Sequence, residues 1–270
     1  MMIDSHAHLE MKDFDDDRKD VIARAKEAGV AAIVTIGTDL DDACKAVEIA
    51  SQYECVYAAV GIHPHEVKRI DPKTYDRMLD LAARPKVVAY GEIGLDFFKN
   101  RSPREVQIRR FGEQLELAED LNLPVVIHDR EAHRETMELL SAWKGSGRGV
   151  IHCFSGDYAM ARKCLDLGFY ISIPGTVTFP KSDTLRDVVR RVPAESLLVE
   201  TDAPFLTPEP HRGKRNESAF VKYTAMRVAE LKNMPFEALA QMTAQNACRI
   251  FKIDLESTTG RDRNVESSKK

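Results

Sequence analysis

The amino-acid sequence predicts an α/β protein built as a TIM-like (β/α)8 barrel. Short apolar segments rich in β-branched residues alternate with segments of helix length, and eight such strand segments are found along the chain. The length of 270 residues suits one barrel of this kind. A doubly wound open sheet is the main competitor, but it needs a glycine-rich nucleotide-binding turn after its first strand, and this sequence has two histidines there instead.

The eight predicted strands have a mostly apolar character. Such runs are typical of parallel strands that are covered on both faces by other elements. The predicted strands span residues 2–8, 31–37, 55–62, 87–93, 124–128, 149–154, 169–174 and 197–202.

The segments between the strands carry helical signals. Apolar residues recur at helical spacing in residues 104–121. Asp157 is predicted to cap the start of a helix that stops at Gly168. Two further helices, predicted at 217–232 and 235–249, are expected to pack outside the barrel.

One domain is predicted, over residues 1–255, because the sequence shows no internal repeat and no low-complexity linker. Residues 256–270 are polar and contain no aromatic residue. Such a composition cannot bury enough apolar surface to fold, so this segment is predicted to be a disordered tail.

Composition excludes several classes of protein. The net charge is −4, so no overall positive field draws the protein to nucleic acid or to a membrane surface. The five cysteines are odd in number and form no CxxC pair, which argues against a disulfide framework and a zinc ribbon. The N-terminal residues lack the basic and apolar regions of a signal peptide, and no apolar run is long enough for a membrane span. We therefore expect a cytoplasmic monomer with no membrane partner.

Histidines are concentrated at the ends of the predicted strands, where barrel enzymes have their active sites. His6 and His8 point to the same side of the first strand, since residues i and i+2 of a strand share a face, and both can bind one metal ion. The same alternation predicts that Cys153, next to His152, faces away from it. The strand-end histidines are His6, His8, His63, His128 and His152.

Two carboxylates complete the set of strand-end polar residues. Glu92 lies in the GEIG segment of the fourth predicted strand, and Asp202 ends the LLVETD segment of the eighth. Taken singly, the glutamate could be solvated and the aspartate could cap a helix. Together with His6, His8, His128 and His152 they would place six uncompensated polar groups at one barrel mouth, which is costly. A divalent metal ion removes that cost, so the sequence predicts a metal site.

Further residues are candidates for contact with substrate. His63 follows the third strand and is predicted to touch the substrate. Arg212, in the basic loop that also contains Lys214 and Arg215, is predicted to bind phosphate, because its planar guanidinium suits bidentate contact. Arg101 lies in a second, weaker basic patch. Five phenylalanines near the strand ends could stack on bases: Phe97, Phe98, Phe154, Phe179 and Phe205.

The motifs DSHAHL, GIHP, GEIGLDF, VIHDR, HCFSG and ETDAP, in this order, resemble those of the TatD family of metal-dependent deoxyribonucleases in the amidohydrolase superfamily. The resemblance runs from residue 3 to about residue 251. One departure is Ser218, which follows Asn216-Glu217 where the family pattern has proline. The resemblance implies a TIM-like barrel that binds two divalent ions.

The resemblance also implies a role for each ligand. His6, His8 and Asp202 would bind the first ion, His128 and His152 would bind the second, and Glu92 would bridge the two. The mixture of imidazole and carboxylate ligands permits Zn²⁺, Mn²⁺ or Mg²⁺, and favours the first two because Mg²⁺ prefers oxygen.

The predicted activity is hydrolysis of phosphodiester bonds in DNA by a metal-activated water, from single-stranded or frayed ends. Asp202 and Glu92 are the predicted catalytic residues, with Asp202 accepting the proton of the water. The same activated water would serve an ester or amide hydrolase, such as an aminoacyl-tRNA deacylase with tRNA as its partner. An inactive binding protein is the alternative from another class, and six intact ligand positions argue against it.

Overall fold

A computed structural model describes residues 1–143 and 149–255 of the chain. It contains eight parallel strands, close to the predicted positions. The predicted tail, 256–270, lies outside the described residues. The strands are β1 (Met2–Ala7), β2 (Val30–Ile36), β3 (Val56–Val60), β4 (Val87–Asp96), β5 (Val125–Arg130), β6 (Gly149–Ile151), β7 (Tyr170–Ile173) and β8 (Leu197–Val199).

The sheet runs in sequence order from β1 to β8, and the backbone after β8 returns to β1. Ala7 and Ala203 form a parallel bridge. The His8 amide donates to the Ala203 carbonyl at 2.7 Å, and the Asp202 amide donates to the His6 carbonyl at 2.9 Å. The predicted (β/α)8 barrel is therefore confirmed, and its closing contacts lie beside three of the predicted metal ligands.

Helices follow the strands as predicted. Asp157 caps the sixth helix by accepting the Met160 amide at 2.9 Å. The helix predicted at 217–232 is shorter, because residues 218–220 form a 3-10 turn. The helices are α1 (Arg18–Glu27), α2 (Leu40–Gln52), α3 (Pro72–Ala82), α4 (Arg104–Asp120), α5 (His133–Ala142), α6 (Tyr158–Asp166), α7 (Asp183–Arg191), α8 (Val221–Lys232) and α9 (Phe236–Phe251). Within the described residues, no helix combines the length and apolar character of a membrane span.

Buried apolar residues form two clusters. The larger one fills the layer between the strands and the surrounding helices. The smaller one joins side chains from seven of the eight strands, and such side chains meet only inside a closed barrel. The end of α9 packs against this inner cluster through Ile250, Phe251 and, just beyond the helix, Ile253. Polar residues therefore line the mouth of the barrel at the C-terminal ends of the strands.

Asn246 joins α9 to the segment that leads into β8. Its buried side-chain amide donates to the carbonyls of Ala194 and Leu197, both at 2.9 Å. The two bonds fix where β8 begins, and therefore where the backbone places Asp202 at its far end.

Replacing Asn246 with alanine is expected to lower the free energy of unfolding by about 1–3 kcal/mol, because two buried carbonyls lose their donor. Urea denaturation followed by circular dichroism measures the change. Gln52→Ala, at an exposed position near the end of α2, is the matched control and should leave the denaturation midpoint almost unchanged. Equal midpoints for both variants would contradict the role given to Asn246.

Candidate metal centre

The six predicted ligands converge at the C-terminal mouth of the barrel. The cavity there has a volume of about 790 Å³. Five of the six ligands line it, and the sixth, His6, is fully buried. The lining ligands are His8, Glu92, His128, His152 and Asp202.

Glu92 lies at the centre of this group, and its two carboxylate oxygens face different histidines. Oε2 is 3.4 Å from His6 Nε2 and 3.9 Å from His8 Nε2. Oε1 is 2.5 Å from His128 Nδ1 and 2.7 Å from His152 Nε2. One carboxylate therefore separates two sets of imidazole nitrogens.

Asp202 joins the set on the Oε2 side. Its Oδ1 lies 3.4 Å from His8 Nε2 and 3.7 Å from His6 Nε2, and these two nitrogens are 3.3 Å apart. Asp202 has a φ of 56°, in the left-handed region that aspartate tolerates better than most residues. On the Oε1 side, His128 Nδ1 and His152 Nε2 are 3.4 Å apart.

A glycine allows β4 and β5 to approach at this point. The φ of Gly94 is 141°, and a Cβ on this residue would lie 2.0 Å from the carbonyl oxygen of His128. Any side chain would push His128 away from Glu92, which explains the second glycine of the GEIG segment in physical terms.

Glu10 was not singled out from the sequence, yet it sets the orientation of a ligand. His8 Nδ1 lies 2.9 Å from the Ile36 carbonyl and 3.1 Å from Glu10 Oε1, so this nitrogen carries the proton. Thr35 donates to the other Glu10 oxygen at 2.7 Å. Nε2 of His8 is therefore the nitrogen that faces Glu92 and Asp202, and it is the one that would offer its lone pair once a metal ion displaces its proton.

Glu200 has a similar position behind His152 and was also missed. It is fully buried, and its Oε1 accepts the Cys153 amide at 2.7 Å and lies 3.4 Å from His152 Nδ1. The opposite ring nitrogen of His152 then faces Glu92. The sequence does contain a sign of this role. Glu200 lies two residues before Asp202 in the LLVETD segment, and residues i and i+2 of a strand face the same side.

The prediction for Cys153 was wrong. It assumed that strand alternation continues past His152, but β6 ends at Ile151. Cys153 has a φ of 43°, outside the extended region, and it lines the same cavity as His152.

His63 lies at the edge of the cluster. Its Nε2 is 3.6 Å from Glu92 Oε1, and its Nδ1 accepts the His65 amide at 3.1 Å. Burial holds the pKa of His63 well below its ordinary value, so the ring is neutral and carries its proton on Nε2. A ring with this tautomer donates a hydrogen bond into the cavity, as expected for a residue that touches substrate.

Asp96 lies close to two histidines that line the cavity, His65 and His128. Its Oδ2 accepts from His65 Nε2 at 2.8 Å and lies 3.4 Å from His128 Nε2. His65 is half-buried in this contact, in contrast to the exposed position that its place in the loop suggests.

The structure does not bring Arg212 to the cluster. It is absent from the cavity lining, and its guanidinium lies 4.3 Å from the centre of the Phe179 ring. In the same loop, Arg215 is paired with Asp17 at 2.7 Å. The cationic residues that line the cavity come from other strand ends and loops: Lys99, Arg101, Arg130 and Lys181.

The charges of the cluster stabilise one another. Burial alone would raise the pKa of Glu92, but the charge of His152 and the hydrogen bonds from His128 and His152 outweigh it and hold that pKa well below its ordinary value. Burial would lower the pKa of His8, yet its bonds to Asp202 and Glu10 raise it well above 6.5. Burial likewise opposes a raised pKa for His152, and Glu92 and Glu200 overcome it.

The residues fit divalent metal ions. Ligand atoms of His6, His8 and Glu92 lie within 4.8 Å of one another, as do those of His6, His152 and Asp202. The buried His6 Nδ1 has no hydrogen-bond partner among the described residues. Imidazoles that converge on carboxylates form a donor set typical of Zn²⁺ or Mn²⁺, and the outer nitrogen of His8 is held by Glu10 and the Ile36 carbonyl.

The barrel and this buried donor set define a metal-dependent hydrolase. The chain belongs to the TatD-related DNase family, whose model matches residues 3–252. It is 42% identical over 255 residues to the uncharacterized metal-dependent hydrolase YabD of Bacillus subtilis, covering 94% of this chain and all of that one. It is 38% identical over 259 residues to the 3'-5' ssDNA/RNA exonuclease TatD of Salmonella typhimurium, covering 93% of this chain and 99% of that one.

A solved structure is also similar. The TatD homologue YJJV from Escherichia coli superposes with a TM-score of 0.89 at 32% sequence identity, covering 94% of this chain and 98% of that one. Family membership and fold are therefore shown, and the protein is a hydrolytic enzyme of the metal-dependent kind.

Metal affinity is expected to fall as the pH is lowered. The raised pKa values of His8 and His152 mean that the metal-free protein holds protons on these rings at neutral pH, and a metal ion must displace them. Affinity should therefore keep rising above pH 6.5, the ordinary pKa of histidine. Competition with a chromogenic chelator across a pH series measures it. An affinity that levels off below that pH would contradict the charge coupling described here.

Proposed function

We propose that this protein is a two-metal phosphodiesterase that shortens single-stranded nucleic acid, with DNA as the main substrate, from an end. The observation that carries the proposal is a group of four cations that line the cavity and form no ion pair within the described residues, three of them at the ends of β4 and β5 and one after β7. The relative from Salmonella typhimurium that bears the name of a 3'-5' ssDNA/RNA exonuclease supports the same substrate class.

The rim cations differ from most arginines of the surface. In residues 1–143 and 149–255, no ion pair with a carboxylate is found for Lys99, Arg101, Arg130 or Lys181. Other arginines are neutralised locally, such as Arg24 by Glu217 and Arg110 by Glu113. Cations left without a counterion at a cavity mouth favour an anionic substrate, although the whole chain carries a charge of −4.

The cavity favours a strand end over the middle of a duplex. The ligands Glu92 and His152 are buried below the rim, and the space above them is about 790 Å³. Cavities of this size accommodate small ligands. A terminal segment of a single strand can enter such a space, whereas a paired helix would be held at the rim.

We assign two metal subsites. His6, His8, Asp202 and Glu92 would hold one ion, and His128, His152 and Glu92 would hold the other. When bound, such ions lower the pKa of water and offset charge on the phosphoryl oxygens.

Asp202 is the proposed proton acceptor for the attacking water. Burial would raise its pKa, but the bond to His8 outweighs burial and lowers that pKa, so the carboxylate is ionised at neutral pH. It lines the cavity and can therefore reach a water beside the phosphodiester. A base positioned in this way contributes about 10²- to 10⁴-fold to the rate.

His63 is the proposed donor to a phosphoryl oxygen. Because its Nδ1 accepts the His65 amide, Nε2 carries the proton and faces the cavity next to Glu92. This contact holds the phosphodiester in place and strengthens as negative charge develops on its oxygens.

The first test adds Mg²⁺, Mn²⁺ or Zn²⁺ singly to metal-stripped protein with end-labelled single-stranded DNA. Stepwise shortening from one end, dependent on metal, is expected. Asp202→Asn should reduce the rate by about 10²- to 10⁴-fold. Gel electrophoresis of timed samples gives the rate, and metal content measured in parallel separates loss of the base from loss of an ion.

Asp80→Asn is the matched control, because this aspartate is an exposed residue of α3 and is absent from the cavity lining. It should retain the parent rate. Failure to cleave under any of the three metals would contradict the proposed function and would direct the search to ester or amide substrates, with aminoacyl-tRNA first.

A further inference from the structure

Two phenylalanines at the barrel mouth are left open to solvent. Of the large hydrophobic side chains in the described residues, four are exposed. Of these four, Phe205 lines the cavity, whereas Met1, Met226 and Phe98 do not; Phe98 differs from the two methionines because its neighbours Lys99 and Arg130 are cavity-lining residues. The two aromatic ones, Phe98 and Phe205, are each 49% exposed and follow the C-terminal ends of β4 and β8. Exposed apolar surface beside a polar cavity marks a place where a ligand binds.

The other aromatic candidates from the sequence are not available in the same way. Phe97 and Phe154 are buried, with 8% and 1% of their surface exposed. Phe179 is half-buried, in contrast to the exposed Phe98 and Phe205. Burial therefore selects Phe98 and Phe205 from the five.

The two rings lie on opposite sides of the metal cluster. With eight strands in sequence order, β4 and β8 are four positions apart around the barrel, which places them across from one another. The Phe205 ring centroid is 6.2 Å from that of His8, on the Oε2 side of Glu92. Phe98 lies against Arg130, which ends β5 two residues after His128, on the Oε1 side.

Phe98 is also combined with positive charge. The guanidinium of Arg130 lies 4.1 Å from the ring centroid, and Lys99 Nζ lies 5.5 Å from it. Both cations line the cavity. An aromatic ring next to cations that face a groove is the combination that binds single strands, because the ring stacks on a base and the cations contact the backbone.

We propose that Phe98 and Phe205 are base-stacking subsites for the nucleotides on the two sides of the cleaved phosphodiester. This inference rests on the proposed function and adds a substrate requirement to it: an oligonucleotide with a base on each side of the bond. Stacking accepts any base, so the subsites select single-stranded character and not sequence.

Binding to a non-cleaving protein tests the subsites. Phe98→Leu and Phe205→Leu are each made in the full chain carrying Asp202→Asn, and leucine keeps apolar bulk while removing the aromatic face. Fluorescence anisotropy in Mn²⁺ measures the affinity for a labelled thymidine oligonucleotide, and for a series in which one nucleotide at a time is abasic. Met226→Leu is the matched control, since Met226 is an exposed apolar residue of α8 outside the cavity.

Each phenylalanine variant is expected to bind the complete oligonucleotide roughly tenfold more weakly, as loss of one stacking contact predicts. In the parent, an abasic nucleotide at two positions should weaken binding by a similar factor. In Phe98→Leu, an abasic nucleotide at one of these two positions should no longer weaken binding, because the stacking contact with that base is already lost. In Phe205→Leu, the same should hold for the other position. Met226→Leu should behave as the parent.

The proposed subsites are contradicted if both phenylalanine variants bind every oligonucleotide with the affinity of the parent. They are also contradicted if an abasic nucleotide weakens binding to each variant as much as it weakens binding to the parent at every position. The cleavage assay separates this result from failure of the proposed function. Cleavage by the parent with no effect of either ring contradicts the subsites alone. Ring-dependent binding without cleavage contradicts the phosphodiesterase alone, and absence of any binding contradicts both.

Discussion

The buried carboxylate of Glu92 is the constraint on which the rest of the site depends. It is 2% exposed and surrounded by imidazoles that come from both sides of the barrel. A charge in such a place is tolerated only when it is compensated. His6 and His8 approach one oxygen, and His128 and His152 approach the other. The barrel must close at β8 and β1 for this arrangement to exist, since closure is what brings β1 to face β4 and β5 across the mouth.

Polar groups behind the ligands decide which ring nitrogen faces the centre. Glu10 and the Ile36 carbonyl take the outer nitrogen of His8, and Glu200 lies behind that of His152. Charge is thus arranged in layers. Carboxylates lie behind His8 and His152, the Glu92 carboxylate lies between the two sets of histidines, and cations without an ion pair among the described residues lie at the rim. An acidic protein can present a positive entrance in this way, because the carboxylates of the site are already engaged when a substrate arrives.

Much of this was predictable because the signals were local. Apolar runs that end in a histidine or a carboxylate predict both the strand and the end of the barrel at which that polar residue lies, and this is why the six predicted ligands converge in the structure. Glu10 and Glu200 were missed because the role of each depends on tertiary contacts that the sequence does not show: Glu10 contacts His8 and Thr35, and Glu200 contacts Cys153 and lies near His152. Cys153 was misplaced because β6 ends at Ile151, three residues earlier than the pattern suggested. Arg212 was predicted to bind phosphate, but its guanidinium lies over the Phe179 ring. The composition of a loop does not determine its conformation, so this position could not be predicted from the sequence.

Glu92 is proposed to contact both metal ions, one through each carboxylate oxygen. Crystals of the protein grown with Mn²⁺ or Zn²⁺, measured at the absorption edge of the metal, test it most directly. The account predicts two anomalous peaks, one beside His6, His8 and Asp202 and one beside His128 and His152, each in contact with a different oxygen of Glu92. A single peak, or a second peak without contact to Glu92, would contradict it.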